Sequence, residues 1–364
     1  MNDPIRLSLW RVLCGVALGA LLVTLNACER GSEPEAARLP QRGEALIRDA
    51  DARLERARRV EVVGVHARTT LERGDTARDW RVVEFDAYPA DWDFVVFATR
   101  GLAMARVLEA RTAREDRHAM LGLVDPREIT PSPGVPPAAE GAGMLIRWLD
   151  DRGEELAAVV LGDHADDSGI RRSARLAGAA QSWLIEGQTP ISAEPTTFIN
   201  AMLSTMPRGR IGRVRVSRGD WSIEIGRESW QEEARLLEPT PPARLVDGVG
   251  ERLLDAMAFL PMREARRAGD APVGGDPVVT VIYRLFEGAR VTLRLFGPEG
   301  SEGPVWATVR AEPAAVIGND EFPNPDRLEA WLEREGLRWH GWAFRVPREA
   351  VALFLSERDA FVRD

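Results

Sequence analysis

The chain has 364 residues, 45% hydrophobic and 29% charged, an ordinary globular composition with length enough for two domains. Its formal charge of −9 argues against a nucleic-acid partner, since such partners are held by surplus basic side chains. The 48 basic residues are all arginine, so neither a Walker-type phosphate loop nor Schiff-base catalysis can operate.

At the N-terminus, Arg6 and Arg11 precede or open an apolar run from Val12 to Leu25, followed by Asn26, Ala27 and Cys28. This is the layout of an export signal over residues 1–27. A membrane-spanning helix needs about 20 apolar residues and this run is shorter, so cleavage is expected; an uncleaved signal anchor is the alternative. Leu25-Asn26-Ala27-Cys28 resembles the lipobox of bacterial lipoproteins, with Asn26 in place of the more usual Ala or Ser. The resemblance implies that Cys28 is acylated and becomes the first mature residue. Cys14 would leave with the signal, and acylation would remove an unpaired thiol from an oxidising compartment. Loss of Asp3, Arg6 and Arg11 takes the formal charge from −9 to −10. Residues 28–44 are polar, contain Pro and Gly, and read as a flexible tether holding the rest near the bilayer.

From Ala45 to Arg59 the positions Leu46, Ile47, Ala50, Leu54 and Ala57 fall at helical spacing and predict an amphipathic lead-in helix. Two β-branched stretches, VEVVGVHARTTLERG and DWRVVEFDAY, predict an antiparallel hairpin. A helix is expected from about Asp91, carrying Phe94, Val95, Phe97, Leu102, Val107 and Leu108 inward. Leu121–Gly143 is rich in Pro and Gly and reads as a long loop rather than a core element. MLIRWLDDRGEELAAVVLG, RRSARLAG and QSWLIEG predict three or four antiparallel strands, and a short helix is expected over Thr196–Ser204.

From about Gly209 the same order of elements recurs. GRIGRVRVSRGDWSIEIG supplies strands, Leu245 to Leu260 marks a helix ending in REAR as the first ends in LEAR, and VVTVIYRLFEGARVTLRLFG answers LIRWLDDRGEELAAVVLG. WATVRAE answers RRSARLAG, and a helix over Asp326–Glu335, a strand over Gly341–Val346 and a terminal helix over Arg348–Phe361 complete the chain. The expected fold class is α+β, with two related modules of antiparallel sheet packed with helices, at residues 45–208 and 209–364.

TLERGDTARDWRVVEFDAYPADWD, then LEARTA, then LGLVDP resemble the opening of the bacterial domain of unknown function 4340. The pattern carries Trp80, Tyr88-Pro89-Ala90-Asp91, Glu109-Ala110-Arg111-Thr112 and Leu121 to Pro126, and it spans roughly residues 60–260. The resemblance implies a membrane-anchored, exported accessory protein associated with an envelope ABC transporter, and it brings no catalytic residues with it. Many members of that family carry a simple N-terminal membrane helix where this chain has a lipobox.

Chemistry-bearing motifs are sparse. His164 lies between Asp163 and Asp166, but the four histidines share no ligand spacing such as HExxH, and a solvated turn is the simpler reading. No serine sits in a G-x-S-x-G elbow, and Gly248-Val249-Gly250 lacks the third glycine of a dinucleotide fingerprint. Asp150-Asp151 and Glu232-Glu233 read as solvated turns. Trp331, Trp339 and Trp342 crowd near the C-terminus; core packing competes there with an exposed interface formed by Trp339 and Trp342. The expectation is therefore a non-enzymatic periplasmic lipoprotein without metal or cofactor, its membrane contact through the lipid on Cys28 and its protein partners the subunits of a transporter. The alternative is a ligand-binding lipoprotein with a cleft between the two modules. An unrecognised hydrolase is the third reading.

Overall fold

A computed structural model describes residues 39–129, 140–240, 243–297, 303–317 and 325–363. The export signal and Cys28 lie outside the described residues. A helix α1 (Ala50–Arg56) leads into β1 (Arg59–Val63), β2 (Arg68–Arg73), β3 (Trp80–Val82) and β4 (Tyr88–Pro89). Helix α2 (Trp92–Val96) continues as a π-helical turn over Phe97–Gly101 and is followed by β5 (Arg106–Ala110). Then come β6 (Met144–Leu149), β7 (Glu155–His164), β8 (Arg171–Leu176) and β9 (Ser182–Glu186). These nine strands form one antiparallel sheet in the order β4-β3-β2-β1-β6-β7-β8-β9-β5.

After β10 (Met202–Ser204) the second half runs β11 (Ile211–Arg218), β12 (Trp221–Gly226), β13 (Arg235–Glu238), β14 (Arg244–Leu245), α3 (Val249–Asp255), β15 (Leu260–Pro261) and β16 (Glu264–Arg267). It continues with β17 (Val279–Leu285), β18 (Ala289–Phe296), β19 (Val305–Pro313), α4 (Pro325–Trp339), β20 (Trp342–Val346) and β21 (Val362–Arg363). The large sheet here has the order β13-β12-β11-β17-β18-β19-β20-β16, with β10–β15 and β14–β21 as separate small ladders. Counted inward from the edge strand that follows each helix, β5 corresponds to β16, β9 to β20, β8 to β19, β7 to β18, β6 to β17, β1 to β11, β2 to β12 and β3 to β13. β4, at the far edge of the first sheet, is left over in this count, and one helix of the second half also stands outside it. α4 lies between β19 and β20, where residues 177–181 alone join β8 to β9.

Alternation decides which face of each strand is inside. β17 and β18 bury every second residue, Val279, Val281, Tyr283 and Leu285 in one and Ala289, Val291, Leu293 and Leu295 in the other. A single hydrophobic core runs through both halves, from Leu46 through Trp148 and Trp183 to Phe344, Phe354 and Phe361. The outward faces carry ionic ladders: Glu61 receives Arg68 at 2.6 Å and Arg147 at 2.9 Å.

Strand outweighs helix, so the α+β expectation stands as large antiparallel sheets with few helices. The lead-in helix is shorter than its periodicity predicts, because residues 43–46 instead run beside β5, with Gly43 N donating to Val107 O and Leu46 N to Ala105 O. Val107 and Leu108 belong to β5 rather than to the preceding helix, and LEAR and REAR both fall on edge strands. The described part of Leu121–Gly143 is not merely a loop. Leu123 is fully buried against Leu145, Ala158 and Val160 on the second face of the first sheet, and its carbonyl accepts from Arg175 Nε at 2.8 Å. Gly162 makes room for this segment, since a Cβ there would meet Leu121 O at 2.1 Å. The expected terminal helix is a pair of 3-10 turns, at Arg348–Val351 and Arg358–Ala360. Arg218 Nη1 donates to the carbonyls of Leu355 and Ser356, which takes acceptors a continuing helix would need.

Candidate binding cleft

Where the two halves meet, a cleft of about 790 Å³ opens between β3–β4 and the α4–β19–β20 face. Four of its residues come from the first half, Asp79, Arg81, Ala87 and Pro89. The second half contributes Arg267, the β19 stretch Val309 to Ala311, and Trp342, with α4 as the opposite wall. Such a volume lies in the range of small-molecule sites.

α4 can form this wall because it carries two stripes. Leu328, Trp331, Leu332 and Trp339 repeat at helical spacing and pack against the core. Trp331 and Trp339 meet edge to face at 6.0 Å, and Trp339 Nε1 donates to Leu203 O at 3.0 Å. Arg338, held by the buried Glu335 at 2.8 Å, donates to Met202 O at 2.5 Å. The helix is thereby tied to the segment joining the two halves. Its second stripe, Glu333, Gly336, Leu337 and His340, looks into the cleft, and Leu337 is 73% exposed there. Gly336 is unusual in a helix interior. A Cβ at that position would meet nothing within 4 Å, so packing does not require the glycine.

The facing wall is held by the turn before β4. Asp86 and Ala87 both adopt left-handed backbone, φ 53° and 62°, a conformation costing roughly 1–2 kcal/mol per residue without glycine. Asp86 Oδ2 accepts from Arg267 N at 3.1 Å across the junction. Tyr88, fully inside, sets its ring edge-on to Trp342 at 4.9 Å and to Phe344 at 5.9 Å. Burial pushes the Tyr88 hydroxyl above its ordinary range against the pull of Arg338. The Arg267 guanidinium also lies over the Trp342 indole, at 3.9 Å. Trp342 thus meets both Tyr88 and Arg267 at the edge of the cleft. Backbone strain of this kind persists where the surroundings over-determine it, and it concentrates at functional sites.

For Trp339 and Trp342 core packing competed with an exposed interface, and the structure corrects the interface reading: they are 3% and 4% exposed, Trp339 fixed by Leu203 and Trp342 in contact with Tyr88 and Arg267. What they form is the floor of a cleft within the chain. Cys28 lies outside the described residues. His164 stands at the end of β7 opposite Arg172, and its pKa is lowered by burial and by that cation despite Asp163 and Asp166. Among the described residues no group of three or more His, Cys, Asp and Glu side chains is placed to hold a metal. Arg172 itself is buried and satisfied by Gly162 O, Pro190 O and Thr189 Oγ1; desolvation pushes its pKa down to about 10, with Asp163 opposing.

The residues that sequence reasoning missed are Arg81, Ala87, Arg267, Gly336 and Leu337. Signals for two of them were present: Ala87 stands inside the DAYPAD motif and Arg267 directly after REAR. The chain matches no protein-family model, no curated protein and no solved structure.

Proposed function

We propose that this chain is an exported, non-enzymatic lipoprotein of the cell envelope that binds a ligand in the cleft between its two sheet modules. One observation carries the reading. The cleft is walled by α4, which has no counterpart in the strand order of the first half, and α4 spends an exposed leucine and an interior glycine on the cavity side. A helix added to a repeated sheet pattern, and left open rather than packed shut, is what a binding site needs. The two modules are, on this reading, copies of one unit, of which the second acquired the helix.

Tethering through acylated Cys28 would hold the cleft on the periplasmic side, near a membrane. The resemblance to the domain of unknown function 4340 adds a second reading compatible with the first: an accessory protein of an envelope ABC transporter, with the transporter subunits as protein partners. The test is native mass spectrometry of the protein isolated from its own membranes. A bound small molecule on the wild type and its absence from Gly336→Leu, which fills the cleft from a site with open space, is the expected result. Equal masses beyond the chain itself in both proteins would remove the binding role. Co-isolation of transporter subunits tests the accessory role separately.

A further inference from the structure

We infer that the cleft takes a single-chain anionic amphiphile, its acid group held by Arg267 and its chain laid along Trp342, Val309 and Leu337. This rests on the binding role proposed above and adds the chemical class of the ligand.

In a chain of formal charge −9, the cleft lining gathers three arginines, Arg81, Arg267 and Arg310, beside Asp79 and Glu333. Two of these arginines are already answered, Arg81 by Asp79 at 3.3 Å and Arg310 by Glu312 at 3.5 Å. The Arg267 guanidinium makes no salt bridge among the described residues, Asp86 Oδ2 being taken by the backbone N–H of Arg267, and it lies over the Trp342 indole at 3.9 Å. A guanidinium fixed on an indole face keeps its donor edge free and ordered, which suits a carboxylate or phosphate.

The two halves differ at this position. Arg267 pairs in register with Trp342 between β16 and β20. With LEAR set on REAR, Ala110 opposite Trp183 in the first sheet answers Ala265 opposite Phe344 in the second, and Arg267 answers Thr112. The first half therefore calls for neither Arg267 nor Trp342. The cation therefore occurs at the edge strand beside which α4 opens the cleft, and the sheet pattern does not demand it.

The size and polarity of the cleft call for more than a small anion. A small anion would leave nearly all of about 790 Å³ unfilled, and apart from Gly336 and His340 the uncharged lining is Ala87, Pro89, Val309, Ala311, Leu332 and Leu337 around the two tryptophans. Leu337, exposed on that wall, adds to its apolar surface. An acid head with an aliphatic chain satisfies both parts of the site.

The test is isothermal titration calorimetry on the full chain, kept in solution with an amphipol whose heat is subtracted, using decanoate, decanol and acetate. Decanoate should bind saturably at one site, acetate should not, and decanol should bind more weakly than decanoate. Arg267→Gln, at an exposed side chain, should weaken decanoate by roughly tenfold, the scale of one charge-assisted hydrogen bond, and leave decanol unchanged. Gly336→Leu should abolish both. Equal affinity for decanoate and decanol, or an Arg267→Gln variant that binds decanoate normally, overturns the anionic head while leaving the cleft as a binding site. Acetate binding as tightly as decanoate overturns the chain. No binding of any probe to the wild type overturns this inference, and the native mass measurement then decides whether the binding role falls with it.

Discussion

Tyr88 is the residue through which the two halves grip each other, and its removal measures that grip. Its side chain is 2% exposed and its ring meets Trp342 and Phe344 edge-on. Truncating a buried aromatic to alanine costs about 3–5 kcal/mol, and each well-oriented aromatic pair contributes about 0.5–1.5 kcal/mol beyond its area. With two such pairs, Tyr88→Ala should lie near the upper end, at about 5 kcal/mol. Tyr88→Phe keeps both ring contacts and removes a buried hydroxyl that has no hydrogen-bond partner among the described residues, so it should change stability by less than about 1 kcal/mol. Urea unfolding followed by circular dichroism reads both numbers. Because one core runs through both halves, the wild type should unfold in a single transition. A Tyr88→Phe loss as large as that of Tyr88→Ala would show that the hydroxyl rather than the ring holds the junction, and the weight given to the ring contacts would be wrong.

Gly336→Ala should raise stability by about 0.5–1 kcal/mol, read from the thermal midpoint, since it gains helix propensity and meets no atom; a loss would mean the glycine is needed for packing. Arg172→Ala should cost about 3 kcal/mol by leaving the carbonyls of Gly162 and Pro190 buried without donors, and Arg172→Lys should recover only part of it, as one ammonium cannot reproduce the fork. Asp125 is opposed by burial but held below the ordinary carboxylate range by Arg127, through side-chain bonds at 2.7–3.2 Å and the backbone N–H of Arg127. The unfolded state therefore takes up the proton first, and the stability from this group is present at neutral pH and lost as pH falls below about 4. Asp125→Asn keeps the cap and removes the charge: its urea midpoint should lie below that of the wild type at pH 7 and approach it at pH 3. A constant gap between the two across that range would contradict the ionic account.

Much of the sheet was legible from residue type, because Val60, Val62, Ile146, Val159, Val281 and Val291 alternate or cluster in the manner of strands bounded by turns. LEAR and REAR, read from the sequence as helix ends, proved to lie on edge strands. Helical spacing misled wherever tertiary pairing supplied a better partner, as for residues 43–46 beside β5 and for the C-terminal stretch tied by Arg218. Pro and Gly content hid Leu123, since a segment can lack regular structure and still cover a sheet face. The cleft was beyond reach of the sequence for a plain reason. It joins Arg81 and Ala87 to Arg267 and Leu337, residues far apart in the chain, and the crowding of Trp339 and Trp342 says nothing of which way they face. The same tryptophans proved to be wall and floor of the site, from the inside.

The central claim is that the α4 wall faces a bound small molecule in the cell. A photoreactive benzoylphenylalanine placed at Leu337 and activated in intact cells tests it most directly, with Met120, equally exposed but outside the cleft, as the control position. Intact-mass analysis should show a small covalent adduct at position 337 and none at 120. An unmodified chain at 337, or the same adduct at both positions, would contradict the account.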